Sequence, residues 1–339
     1  MASTRRRILK GSLLVTLVLG TGTVVFMRAP GVGLPGIAAE DYPRVDTCAA
    51  TAMLGRMLAA RALGIRTHVL RFGLTKGAGV RTSDLAYEPA RLPEPRKKEH
   101  EDLLAAKARQ GSNHECYLNV INGVADLGLV VREPLPEETA AAQATGVELD
   151  ARPIGRDALV FIVHRDNPVT GLTRAQVASI FSGQTTMWDA VGGAPEAIMA
   201  YTRERASDSA ELMPTLALQG RPVVPGPDRL IMTMVGTVEA IGRNPLGLAC
   251  TVWQYHHTML GNTGTRELAV DGVRPTPRTI ADRHYPLGTP VCAVIRRDAA
   301  PDSPERRVRD WLLRDAGQRL VARSGLVPAR GQTLTIKEQ

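Results

Sequence analysis

Apolar positions along the chain follow two different periods. Met53, Leu54, Met57 and Leu58 recur at helical spacing within Ala50 to Ala62, and Gly64 follows, so a helix with these four side chains in the core is expected. Thr67 to Leu74 alternates as a strand does. The pattern then lapses. Thr75 to Asp102 is polar, carries Pro and Gly, and its run Arg96, Lys97, Lys98 reads as a solvated loop. His114 to Asn122 predicts a helix closed by Gly123, Ala125 to Val131 an apolar strand, and Glu137 to Thr145 a short helix ended by Gly146. Ala158 to Val163 is apolar without a break, the mark of a strand covered on both faces. Thr173 and Gln176 frame a capping box for a helix running to Phe181, with Gly183 at its end. Further helices are expected at Glu211 to Gln219, Leu230 to Ile241 and, as one or two, Glu305 to Arg323. Tyr42 to Val45, Gly247 to Tyr255 and Pro290 to Ile295 read as strands. Strand and helix alternate throughout, which sets the class as α/β.

The first 39 residues stand apart. Thr4 to Lys10 reads T-R-R-R-I-L-K, an apolar run from Leu13 to Met27 follows, and Arg28 precedes a small-residue stretch ending at Ala38 and Ala39. This is the pattern of an export leader, and the arginines before a moderately apolar core resemble a twin-arginine signal. The alternative is a retained signal anchor: Ile8 to Met27 has bilayer-spanning length with its basic flank inside. Both place the protein outside the cytoplasm, secreted, periplasmic or held at the outer face of the cytoplasmic membrane. With no cysteine near the leader's end, no N-terminal lipid anchor is expected.

Composition then narrows the functions. A chain of 339 residues with 44% hydrophobic and 22% charged residues is globular rather than disordered or multi-spanning. The net charge of +8 suggests nucleic acid at first sight, but five of the basic residues precede Glu40, and 4% aromatics leave little to stack on bases. No nucleic-acid partner is expected. Cys48, Cys116, Cys250 and Cys292 are too scattered for a metal site, and outside the cytoplasm they are either disulfides or buried thiols. His256 and His257 are adjacent, so on a strand they point to opposite faces, and His114 alone reads as a surface histidine. No metal or cofactor is expected, and no nucleophile elbow or triad points to an enzyme.

From Pro153 onward the sequence resembles the substrate-binding proteins of bacterial ABC phosphate importers. The residues that carry the resemblance are P-I-G-R-D-A-L-V-F-I-V-H-R-D-N-P-V, L-T-R-A-Q-V-A-S-I-F-S-G-Q-T-T-M-W-D-A-V-G-G, A-Y-T-R-E-R-A-S-D-S, D-G-V-R-P-T, Y-P-L and A-G-Q-R-L, with Y-P-R-V-D (Tyr42 to Asp46) upstream. The resemblance implies a two-lobed periplasmic-binding-protein-like fold with a hinge and an interlobe ligand cleft. On that reading residues 40–157 and 271–330 form a discontinuous first lobe, 158–270 the second, and 331–339 a tail, with crossings near Ala158 to Val163 and Val270 to Pro290. A monomer is expected, docking on the permease subunits of an importer.

The same resemblance implies a site for phosphate or a related oxyanion. Arg203 and the turn Ser207, Asp208, Ser209 match the family's arginine and hydroxyl turn in spacing, although Asp208 stands where relatives have glycine. As a helix cap, Asp208 would pair with Glu211; as a site residue, it would accept a ligand proton. Thr47, Cys48 and Ala49 follow Asp46 where relatives carry glycine, serine and threonine, so two hydroxyl donors are missing while the backbone N–H groups of Cys48, Ala49 and Ala50 remain. Ser112 and Asn113 fall at the second anion loop. The family's acidic residue aligns with Arg132 or Glu133. Cys48 and Cys116 lie at helix starts that converge in the implied fold, which makes them a candidate disulfide. Two functions follow: an exported solute-binding protein with a degraded first anion loop, or a secreted or anchored sensor or interaction protein that has lost tight phosphate binding.

Overall fold

The computed structural model describes residues 40–63, 105–218, 220–224, 229–259 and 264–329, positions 34, 37, 38, 98 and 102, and the backbone of four short strands, Thr16–Leu19, Gly22–Val25, Thr67–Leu70 and Asp84–Tyr87. Among these, β1 (Val45–Thr47) leads through one 3-10 turn (Ala49–Thr51) into α1 (Ala52–Ala62). β2 (Ala108–Gln110), α2 (Asn113–Ile121), β3 (Leu127–Val130) and α3 (Pro136–Ala144) follow. Next come β4 (Leu149–His164), α4 (Arg174–Phe181), β5 (Met199–Ala200), α5 (Asp208–Leu216), α6 (Met234–Arg243) and β6 (Gly247–Val252). The chain continues through β7 (Thr265–Glu267), α7 (Pro277–Ala281), β8 (Gly288–Arg296), α8 (Pro304–Leu312), α9 (Asp315–Arg323) and β9 (Val327–Pro328).

One sheet runs in the order β5, β6, β4, β8, β3, β1, β2, and β7 and β9 also pair with β4. Its sixteen-residue strand β4 changes partner part-way: Leu149 to Ala158 lies antiparallel to β8, and Leu159 to Val163 antiparallel to β6. A bulge between Val291 and Cys292 lets the pairing skip Ile154. On the β8 side, β3 is antiparallel to β8 and parallel to β1, which is parallel to β2. On the other side, β6 is parallel to β5.

The apolar stretch Ala158 to Val163 is fully buried, as a strand covered on both faces must be. The preceding L-D-A-R-P-I-G-R-D has no such pattern and was not expected to be strand. It becomes one because β8 supplies its ladder, while Arg152 and Pro153 stay exposed. The capping box at Thr173 and Gln176 forms, and Gly123, Gly146 and Gly183 take positive φ at the ends of their helices. Leu230 to Ile241 is corrected: Leu230–Ile231 pairs in parallel with Thr202–Arg203, and the helix starts only after its cap, Thr233. The strand expected at Tyr42 to Val45 starts at Val45, and that at Gly247 to Tyr255 stops at Val252. Within the polar excursion Asp84–Tyr87 pairs with Thr67–Leu70; Lys98 is exposed, and Arg96 and Lys97 lie outside the described residues.

The A-G-Q-R-L motif is structural. A Cβ on Gly317 would fall 2.2 Å from the Trp311 carbonyl, and Gln318 Nε2 donates to the Ile154 and Leu312 carbonyls at 2.8 Å each, tying α8 and α9 to β4. At the other end of the chain, the basic residues of the leader lie outside the described residues. Thr16–Leu19 pairs antiparallel with Gly22–Val25, and no helix among the described residues is long and apolar enough to cross a membrane.

Candidate functional site

Some of the residues expected at the anion loops, Cys48, Ala50 and Asn113, come together around a group the chain itself supplies. Asp208, the first residue of α5, is 1% exposed, and its side chain leaves its own helix. Oδ2 accepts from the backbone N–H of Ala50 at 2.6 Å, and Oδ1 accepts from Asn113 Nδ2 at 3.1 Å. The Cys48 thiol lies beside it. Both donors sit at helix starts on the β8 side, where free N–H groups favour an anion.

This placement corrects the reading of Asp208 as a helix cap. Ser207 is the N-cap, its hydroxyl accepting from Ala210 N at 3.4 Å. Glu211 does not reach back to the cap either; its Oε2 accepts from Arg132 Nε at 2.9 Å. Arg132 in turn holds Glu138 through Nη1 and Nη2 at 2.9 and 2.7 Å. The arginine is 6% exposed and Glu138 wholly buried, so three charges share one desolvated network. Of the two candidates for the family's acidic position, Arg132 is the one turned inward, and Glu133 is exposed. The carboxylates on both sides force this choice, since a buried guanidinium needs them and a buried Glu133 would have added a further negative charge.

On the first loop, Thr47 Oγ1 donates to the Arg109 carbonyl, and Asp46 accepts from Arg109 and from Asn119 Nδ2. These side chains brace the loop. The Cys48 N–H, expected to be free for a ligand, is taken by the Leu129 carbonyl at 3.2 Å and by Thr51 Oγ1 at 3.1 Å. Ala49 is half-buried against the core. On the second loop, Ser112 caps α2 and exchanges hydrogen bonds with Glu115, while Asn113 Oδ1 accepts from Val131 N at 2.9 Å. Asn113 is therefore locked in the orientation that points its amide at Asp208. The candidate Cys48–Cys116 disulfide is not formed. All four cysteines are free and buried, Cys48 in the large core cluster and Cys116 with Cys292 in a smaller one.

The β6 side is less satisfied. Arg203 donates through Nη1 to the Ile231 carbonyl at 3.1 Å, but its Nε is buried without a partner among the described residues. Ser209 is fully buried, and its hydroxyl meets the Cys250 thiol, a weak partner. Burial lowers the pKa of Arg203, although Cys250 and Asp208 lie near enough to oppose the shift.

Burial dominates the electrostatics of the junction. It lifts the Asp208 pKa to about 6 against the pull of the Ala50 N–H, and Glu211 adds to the lift. Burial also pushes the Cys48 thiol well up, with Asp208 contributing, so the thiol stays protonated and able to donate. For Glu138, Arg132, His114 and the Leu135 N–H outweigh burial and hold the pKa below the usual carboxylate range. Asp157, at the partner change of β4, is fully buried and lifted to about 7 by burial. Its Oδ1 accepts from Gln254 N and Ala158 N, and its Oδ2 has no partner among the described residues. His114, Glu137 and Glu138 come within metal-ligand distance of one another, but Glu138 is already committed to Arg132.

Asp157, Glu138 and the Arg132–Glu211 bridge were not anticipated as site residues. Two polar residues on different elements, each unremarkable in its own segment, leave no signal in sequence spacing.

Two α/β halves sharing a long strand, with helix starts facing each other at the junction, define a two-lobed α/β binding-protein fold. Residues 105–312 match the family described as a PBP superfamily domain, and the chain belongs to that family. It is 24% identical over 235 residues to protein SphX of Synechococcus elongatus, a match covering 64% of this chain and 67% of that protein. A second match is 32% identical over 101 residues to phosphate-binding protein PstS 2 of Streptococcus pneumoniae, covering 30% of this chain and 32% of that one. In fold the chain is similar to an ABC-type phosphate transport receptor from Vibrio cholerae, with a TM-score of 0.59 and 18% identity over 84% of this chain and 98% of the other.

Proposed function

We propose that the protein is an extracytoplasmic solute-binding protein of an ABC importer, built to hold phosphate or a related oxyanion between two lobes. It carries its ligand rather than transforming it, and its partners are the permease subunits. The observation that carries this reading is the convergence of the Ala50 N–H and the Asn113 amide on one buried anionic group where the two halves meet. Family membership and the phosphate-binding relative from Streptococcus pneumoniae support the choice of ligand class. The lobes are read as residues 40–157 with 271–330 and residues 158–270, hinged where β4 changes partner. The arginine-rich leader supports export.

Calorimetric titration of the exported protein with phosphate, sulfate, arsenate and organic phosphates tests this function. Saturable heat with phosphate or arsenate is expected, and Arg203→Ala should weaken it by roughly ten- to hundredfold, the loss of one charge-assisted contact. Absence of heat with every anion at millimolar concentration removes the transport reading. The occupation of the loop by Asp208 favours a second reading, a sensor or interaction protein of the same fold that no longer needs a tight soluble ligand.

A further inference from the structure

We propose that Asp208 is a tethered ligand, whose carboxylate fills the anion loop of the first lobe and keeps the cleft shut in the absence of any soluble anion. This inference rests on the binding-protein reading above and describes how that same site is regulated.

Three observations converge on it. Both carboxylate oxygens are engaged across the junction, by Ala50 and Asn113, residues 158 and 95 positions away in the chain. Among the described residues, neither oxygen accepts a hydrogen bond from its own helix. One turn further along α5, Glu211 makes a second bridge to the same side through Arg132. The helix thus reaches across with two acids, one on a neutral donor pair and one on a guanidinium. Finally, the donors on Asp208's own side are the ones left over: among the described residues Arg203 Nε is buried without a partner, and Ser209 Oγ meets only the Cys250 thiol, a weak one. A loop that closed on a soluble oxyanion would have drawn donors from both sides. Here the donors of one side are saturated by the chain, and those of the other are only partly matched.

The energetic consequence follows from tethering. A carboxylate fixed on the opposite lobe competes at an effective concentration of millimolar or above. A soluble anion then reads only the fraction of molecules that are open. If that fraction lies between about 0.1% and 10%, apparent affinity is weakened by roughly tenfold to a thousandfold. The closed shape, the form a partner would recognise, is therefore the resting state.

The test compares the full exported protein with Asp208→Ala and with the near-isosteric Asp208→Asn, using inorganic phosphate as the probe, small-angle X-ray scattering for closure and calorimetry for binding. Wild type should be compact in phosphate-free buffer and unchanged when phosphate is added. Asp208→Ala should be expanded without phosphate, contract to the wild-type radius with it, and bind it at least about tenfold more tightly. Should the alanine variant misfold, Asp208→Asn decides, since its amide would face the Asn113 amide donor to donor. Opening of either variant with no phosphate binding in any of the proteins upholds closure by Asp208 and sinks the oxyanion reading instead. Variants as compact as wild type without phosphate overturn the proposal, as does phosphate binding that is tight in wild type and weaker in Asp208→Ala.

Discussion

The two sides of the junction handle their polar groups in opposite ways. On the β8 side nearly every donor and acceptor is matched: Ala50 and Asn113 with Asp208, Arg132 with Glu138 and Glu211, Thr51 with the Leu129 carbonyl. On the β6 side, among the described residues, Arg203 Nε is buried without a partner and Ser209 Oγ meets only the Cys250 thiol. The contrast teaches that anion-type donors can be preserved in a fold while their occupant changes. The first side has found an anion within the chain. The second keeps donors that the described residues serve poorly, although an unpaired buried group costs about 1 to 3 kcal/mol.

The strongest challenge to this comparison is Arg132→Ala. It leaves Glu138, wholly buried, and Glu211 without their counter-charge, and a loss of about 3 to 5 kcal/mol is expected in denaturant unfolding. A loss below about 1 kcal/mol would mean the matched side is not held by its charge network.

Asn113→Ala comes next. It removes both the donor to Asp208 and the acceptor of the Val131 N–H, so about 2 to 4 kcal/mol should be lost, with each orphaned partner contributing. Stability equal to wild type would show that the Asp208 contact is dispensable to the fold.

A third, pH-dependent test uses Asp157. Its folded pKa of about 7 lies above the unfolded value near 3.8, so the fold binds its proton more tightly than the unfolded chain does. Its contribution is then fullest below about pH 4, falls as pH rises toward 7, and is constant above. Asp208, lifted to about 6, acts in the same direction. The melting temperature of Asp157→Asn should therefore gain on wild type as pH rises from 4 to 7. A constant difference across that range would show that Asp157 does not hold a raised pKa.

The smallest effect is expected on the β6 side. Ser209→Ala removes a buried hydroxyl that meets only a weak thiol partner, so stability should change by no more than about 1 kcal/mol in either direction. A loss larger than that would reveal an interaction of Ser209 and weaken the contrast.

Local physics made much of this legible from sequence. The period of Met53, Leu54, Met57 and Leu58 identified a buried helix face, and all four are in the core. The unbroken run Ala158 to Val163 identified a strand with both faces covered, because continuous burial requires continuous apolarity. The capping box at Thr173 marked a helix start, since cap and partner lie three residues apart. Spacing also brought Asn113 and Asp208 into a common site, through resemblance to a family whose loops converge.

Tertiary structure alone decided the rest. That Leu149 to Asp157 is a strand depends on β8, more than a hundred residues later, lending it hydrogen bonds its own sequence does not advertise. That Arg132 rather than Glu133 turns inward depends on Glu138 and on Glu211 from another helix. The role of Asp208 is the clearest instance. The sequence placed a carboxylate at a helix start, where capping its own N–H groups was the local solution; in three dimensions the Ala50 N–H and the Asn113 amide compete for the same charge. A buried carboxylate goes where the most donors can compensate its lost hydration, and sequence order carries no information about donors on the far side of a junction.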